Sequence, residues 1–259
     1  GREAQLRAFR QRIRRAAHGG GGALLFRSPP GLGRSRMLDA CALEAKTLGL
    51  TVLRAGAGSA GPFTLAARLC EQLLEALPES ALHAAERAQV REIVLDDAAR
   101  PGEPRLRRLD DGSWQRERLQ PALMAWLAQV CRTHALLLLV DDVQRVDEAS
   151  LAWLAALAVA APELRLQLTV AADDIQAPSA ALSVLVRHCV VLQLEPLTHT
   201  ETEALLGSVF GRVPNLPLLA EQLYRIARGS PRESLLLAQH LVDSGVISYR
   251  DGLWTLPSE

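Results

Sequence analysis

Lysine is nearly missing from this chain. Lys46 stands alone among 29 basic residues, and all the others are arginine. Aromatic side chains make up only 4% of the sequence, too few for the stacked platforms on which single-stranded nucleic acid is held. Neither sign of charge is in excess, because 29 acidic residues balance the 29 basic ones. That balance argues against a strongly basic nucleic-acid binder, and no direct nucleic-acid contact is expected of this segment. No apolar run reaches about 18 residues, so no membrane span is expected. The opening GREAQLRAFR does not have the pattern of a secretory signal. Four cysteines (Cys41, Cys70, Cys131, Cys189) are far apart and form no CxxC pair. They fit reduced thiols in a cytoplasmic compartment better than a disulfide or zinc framework. The six histidines form no HExxH pair, and no G-x-S-x-G elbow anchors a hydrolase triad.

What is present is apolar mass: 259 residues, 49% hydrophobic. That suffices for one α/β core and a small second module. Both ends read as those of a piece of a longer protein. Residues 2–17 pattern as a helix with Leu6, Phe9 and Ile13 on one stripe and arginines elsewhere. The arginine side is read as a solvated face. Five short apolar runs read as strands: 23–26, 51–55, 136–142, 166–171 and 190–194. The run LLLLVDD at 136–142 has the unbroken character of a strand covered on both faces. Helical stretches separate the runs, at 36–47, 65–77, 81–95 and 120–133, and a further one carries Leu151, Trp153 and Leu154. Alternating strands and helices imply a parallel sheet. The charged stretch 96–113 reads as an exposed loop.

After Pro196 only helices follow. Thr198 with Glu201, or Thr200 with Glu203, makes a capping box. A second helix is expected from about Pro217 to Arg228, and a third opens with Ser230-Pro231. ISYRDGLWTL reads as a hairpin around Asp251-Gly252. The expected organisation is an α/β domain over 1–195, a helical lid over 196–243, and a hairpin over 244–259.

The chemistry is concentrated in Ser28-Pro29-Pro30-Gly31-Leu32-Gly33-Arg34-Ser35. Lying between a strand and a helix, it occupies the place of a phosphate-binding loop. There glycines let amides turn inward, and the helix N-terminus adds partial positive charge. Against the P-loop pattern G-x-x-x-x-G-K-[ST], Ser28 replaces the first glycine and Arg34 the lysine. The second element is Asp141-Asp142, at the carboxyl end of the most apolar strand, where α/β sheets bind ligands. In a P-loop protein the first carboxylate shares Mg²⁺ with the Ser35 hydroxyl, and the second positions or deprotonates a water.

With these motifs in place, the chain resembles the nucleotide-binding module of STAND-type signalling ATPases, relatives of AAA and Orc-like ATPases. Gly1-Arg2-Glu3 resembles the family's GRE box. SPPGLGRSRML is similar to GEPGIGKSRLL, and LLLLVDDVQRVDEASL to the Walker B block LLLLDDLHWADPASL. Residues 194–206 resemble the link into the lid. Gly229-Ser230-Pro231 resembles the lid's GNP, and GVISYRDGLWTL the start of a winged-helix module. The resemblance implies ATP or ADP with Mg²⁺, held between sheet and lid by Pro30, Gly31, Leu32, Gly33, Arg34, Ser35 and Arg36. Arg2 and Pro231 would lie near the base, Ser35 and Asp141 on the metal, and Asp142 on the water. It also implies a kinase, cyclase or DNA-binding output domain and a repeat-rich sensor elsewhere in the chain, with self-association possible.

The departures point to weak or absent hydrolysis. Arg34 keeps the charge but not the compact ammonium. Asp173-Asp174 stands where a sensor arginine is usual, and Arg145 stands where the family has Trp. Two alternatives stay open. One is a nucleotide-free pseudo-ATPase scaffold for protein partners. The other is a competent ATPase that uses Arg34 with an arginine finger supplied in trans.

Overall fold

The computed structural model describes residues 1–58, 61–96, 105–107, 116–173, 178–211, 213–250 and 253–256. The elements run α1 (Glu3–Ala17), β1 (Gly22–Arg27), α2 (Arg34–Thr47), β2 (Thr51–Gly56), α3 (Thr64–Ala76), α4 (Pro78–Arg87) and α5 (Arg91–Val94). Next come β3 (Leu95–Asp96), β4 (Arg105–Leu106), α6 (Arg116–Val130), β5 (Leu136–Asp141), α7 (Glu148–Ala160), β6 (Leu166–Ala172), α8 (Ala180–His188) and β7 (Cys189–Gln193). The last are α9 (His199–Phe210), α10 (Leu216–Ala227), α11 (Pro231–Asp243), β8 (Ser248–Arg250) and β9 (Leu253–Thr255).

Contacts divide the chain into two compact units. The larger, residues 4–27 and 35–192, holds the sheet, with strand order β2-β5-β6-β1-β7. The pairs β2–β5, β5–β6 and β1–β6 are parallel. This is the five-strand α/β architecture expected from the sequence. The physical cause is visible in β1, β5 and β6: their side chains are buried almost without a break, as helices on both faces require. Trp126 and Trp153 are fully buried in the same core. The Trp126 indole N–H donates to the Ala81 carbonyl (2.8 Å), which ties α6 to α4.

Some expectations shift in detail. The helix expected over 81–95 is two helices, α4 and α5, parted where Gln89 takes a left-handed conformation (φ 55°). The stretch 120–133 begins earlier, at Arg116, and carries Pro121 inside it. Leu95–Asp96 pairs antiparallel with Arg105–Leu106, so part of the charged stretch is a small ribbon. Residues 97–104 and 108–113, Asp174 and the turn Asp251-Gly252 lie outside the described residues.

The α3 and α7 helices are joined at their starts by one carboxylate. Asp147 caps α7 by accepting from the Ser150 N–H (2.8 Å). It also accepts from the backbone N–H of Phe63 (2.8 Å) and of Leu65 (3.4 Å) at the start of α3. The buried Ser150 hydroxyl accepts from the Ala66 N–H (3.1 Å).

The smaller unit gathers residues 1–3, 28–34 and 193–259. Its core is made by α9, α10 and α11 with the β8–β9 hairpin, through Leu206, Phe210, Leu219, Leu223, Ala238 and Ile247. Trp254 of the hairpin meets Phe210 edge-to-face at 5.2 Å. Thr198 and Glu201 form the expected reciprocal box at the start of α9. Thr198 N–H donates to the Glu201 carboxylate at 2.7 Å. That bond holds the Glu201 carboxyl below its ordinary pKa, against the opposing effect of burial. A carboxylate depressed in the folded state stabilises above its unfolded pKa of about 4.5 and ceases to do so as pH falls through its lower folded value. The stability gap between wild type and Glu201→Gln, read by urea unfolding of the helical unit, is therefore expected to close as pH drops from about 6 to about 3.

Candidate functional site

The segment between β1 and α2 is a tight loop with Gly31 at φ +88° and Gly33 at φ +90°. Both values lie where only glycine sits without strain. A Cβ on Gly31 would come 3.1 Å from the Ser230 hydroxyl and 3.5 Å from the Arg232 Cβ. A Cβ on Gly33 would meet nothing within 4 Å, so open space lies on that side of the loop.

Three loop carbonyls are held by arginines. Arg34 turns back and donates from its guanidinium to the Ser28 carbonyl. The Arg232 backbone N–H donates to Gly31 O at 3.2 Å. The half-buried Arg2 guanidinium donates to Leu32 O at 3.0 Å. Burial lowers the Arg2 pKa, and Glu201 and Glu195 oppose that shift. No described peptide is cis, and in a trans peptide the carbonyl and the following N–H point in opposite directions. The amides of Leu32 and Gly33 share peptides with the Gly31 and Leu32 carbonyls, so they point away from these anchors. Successive amides that converge form a concavity suited to an anion. Pro30 is exposed, Leu32 and the Ser28 side chain are buried, and Ser35 and Arg36 are exposed at the start of α2.

The second group lies at the carboxyl edge of the sheet. Arg27 is level with Ala172 and Val140 with Val170, so β1 and β5 end within a residue of each other on either side of β6. Two strand spacings separate them, about 10 Å. Beyond the ends of β2 and β5 is a cleft of about 270 Å³ lined by Gly56, Ala57, Gly58, Asp141, Asp142 and Arg145. The Asp142 N–H donates to the Asp141 carboxylate at 3.0 Å. Asp142 adopts a left-handed conformation (φ 47°), which non-glycine residues tolerate at a cost and mainly where a site demands it. Ser35 belongs to the same unit as this edge. Its carbonyl accepts from Arg54 of β2 (3.4 Å), and Arg54 also pairs with Asp39.

This donor set suits Mg²⁺. One hydroxyl and one carboxylate are hard oxygens, and Mg²⁺ in phosphate sites keeps few protein ligands and fills the rest with water and phosphate. Among the described residues no cluster of three or more His, Cys, Asp or Glu could cage an ion alone. Burial pushes the Cys70 and Cys131 thiols up to about 12, which keeps them protonated and unsuited to ligation.

Sequence reasoning missed three residues. Gln144 links the end of β5 to the end of β6: its amide donates to Asp142 (3.4 Å) and its carbonyl accepts from the Asp173 N–H (3.4 Å). Arg232 touches the phosphate-type loop one position beyond Pro231. Asp147 holds the starts of α3 and α7 together. A glutamine among charged residues and an arginine after a proline carry no pattern, so only geometry reveals them.

The AAA ATPase domain family matches residues 1–170 of the chain. No curated protein sequence matches. Among solved structures, Cdc6p from Pyrobaculum aerophilum is similar with TM-score 0.56 at 14% identity, over 94% of this chain and 62% of that one. The RuvB Holliday junction branch migration motor of Thermotoga maritima is similar with TM-score 0.50 at 14% identity, over 94% and 62%. A point mutant of that RuvB gives TM-score 0.51 at 13% identity, over 94% and 63%. The chain thus spans under two thirds of the length of these structures. At such identities the likeness concerns the fold.

Proposed function

The chain belongs to the AAA ATPase domain family, and from that premise we propose that it is a nucleotide-responsive switch module of the STAND type that binds ATP or ADP with Mg²⁺ and hydrolyses it weakly or not at all. The observation that carries this reading is the loop itself, in which Gly31 and Gly33 sit at positive φ and the Gly31 and Leu32 carbonyls are held by Arg232 and Arg2, leaving the Leu32 and Gly33 amides on the opposite sides of those peptides. The Leu32, Gly33, Arg34 and Ser35 amides would hold phosphate oxygens. Mg²⁺ supplies charge neutralisation on the polyphosphate when bound, and Ser35 and Asp141 are the residues to hold it. Asp142 would orient water, with Gln144 fixing its carboxylate. Arg2 and Pro231 border the base in this reading, and Arg36 lies one position beyond the metal-binding serine. A bias of the helical unit by nucleotide would be read by other domains of a longer protein, a kinase, cyclase or DNA-binding output among the candidates.

Weak turnover follows from Arg34. A guanidinium spent on the Ser28 carbonyl is not placed on a γ-phosphate, and a misplaced charge-assisted hydrogen bond costs about 1.5–3 kcal/mol. That is roughly tenfold to a hundredfold in rate. Arg34→Lys cannot make the same fork and presents a compact ammonium, so it is expected to raise ATP turnover by at least about tenfold in a phosphate-release assay. The Arg34–Ser28 bond also favours a second reading, the pseudo-ATPase scaffold. Gain of nucleotide binding by Arg34→Lys from a wild type that binds none would establish that scaffold.

A further inference from the structure

We propose that the outer face of α1 is a docking surface for the sugar–phosphate backbone of a nucleic-acid duplex. Bulk neutrality averages over the whole chain and hides a local excess. Arg7, Arg10, Gln11, Arg14, Arg15 and His18 line one open groove of about 710 Å³ along this helix. Spacings of three and four residues put them in one band on the solvent side of the helix, and Arg7 to His18, just past its end, spans about 16 Å at 1.5 Å per residue. The row is rigidly mounted, because the opposite face carries Phe9, Ile13 and Ala16, all fully buried.

Among the described residues, one acidic side chain meets the row. Glu44 of α2 pairs with Arg10, which holds its carboxyl below the ordinary range, and Arg14 adds to that effect. Arg7, Arg14 and Arg15 are exposed. The chemistry selects among anionic partners. A membrane-surface helix needs its apolar face free to enter lipid, whereas here that face is spent on the protein core. In a stable protein interface arginines surround a buried apolar core, and the row contains no aliphatic side chain to form one. Single strands need aromatic platforms, also missing from the row. What remains is forked guanidinium recognition of regularly spaced phosphates without base readout.

The test is fluorescence anisotropy of a labelled random-sequence DNA duplex of about 20 base pairs, titrated with the chain at about 50 to 200 mM salt. Saturable binding is expected, weakening with salt as release of three or more counterions requires. The variant Arg7→Gln/Arg14→Gln/Arg15→Gln should lower the slope of log K against log salt by about 2.7, at 0.9 per phosphate lost, and weaken binding at 0.1 M salt by about a hundredfold or more. Its thermal melt should match wild type, since the three side chains are exposed. Lysine at the same three positions should retain the slope. A triple glutamine variant at Arg87, Arg132 and Arg225, all exposed and none part of α1, should bind as wild type does. The proposal is overturned by absence of binding at 50 mM salt, by equal binding of the α1 variant, or by equal loss in the variant at Arg87, Arg132 and Arg225. Binding of polyglutamate or of phosphatidylserine vesicles without binding of duplex overturns it as well.

Discussion

Gly31→Val is expected to weaken Mg·ATP binding by at least about a hundredfold while leaving the sheet unit folded. At φ +88° a β-branched residue bears left-handed strain of about 1–2 kcal/mol. Its Cβ would also start 3.1 Å from the Ser230 hydroxyl, and overpacking of that kind costs about 1–3 kcal/mol more. The loop relieves both by rotating its peptides, and rotation undoes the alignment of the Leu32 and Gly33 amides. About 3 kcal/mol lost from the bound geometry corresponds to that factor in affinity. Titration calorimetry reads the affinity, and an unchanged far-ultraviolet circular dichroism spectrum shows that the elements persist. Affinity within threefold of wild type would mean that the loop does not hold the ligand.

Asp147→Ala is expected to have the largest effect on stability of any single polar change in the sheet unit, about 3 kcal/mol. Removing an N-cap costs about 1 kcal/mol. Here the same carboxylate also serves the Phe63 and Leu65 amides, and each half-buried donor left without a partner adds about 1 kcal/mol or more. Urea unfolding followed by tryptophan fluorescence reports the loss, because Trp126 and Trp153 lie in the core that α3 and α7 close. Asp147→Asn keeps one acceptor oxygen and should recover about half of it. A loss below 1 kcal/mol would show that α3 and α7 are held by apolar packing alone.

The parallel sheet was legible because its strands are written in unbroken apolar residues. LLLLV before Asp141 admits little else, and the same holds for Ala23 to Phe26. Capping chemistry was equally plain: Thr198 with Glu201, and Ser230 before Pro231, are local signals that need no tertiary partner. The break at Gln89 was not legible, since a left-handed glutamine has no signature and its cause is packing. The loop's glycines and both aspartates could be picked out by type and order. The direction of Arg34 could not, because a guanidinium reaches phosphate and backbone carbonyl with equal ease, and the choice depends on where the Ser28 carbonyl points. Arg232 and Gln144 were invisible for the same reason, as each acts through a backbone group brought near by the fold.

The most direct measurement is isothermal titration of the chain with Mg·ATP and Mg·ADP, paired with thermal melting. If the Gly31–Ser35 loop holds polyphosphate, nucleotide gives saturable heat and raises the melting temperature. Both effects should shrink when magnesium is removed or Ser35 becomes alanine. Absence of heat and of any thermal shift at millimolar nucleotide would contradict the central claim and leave the loop a structural turn.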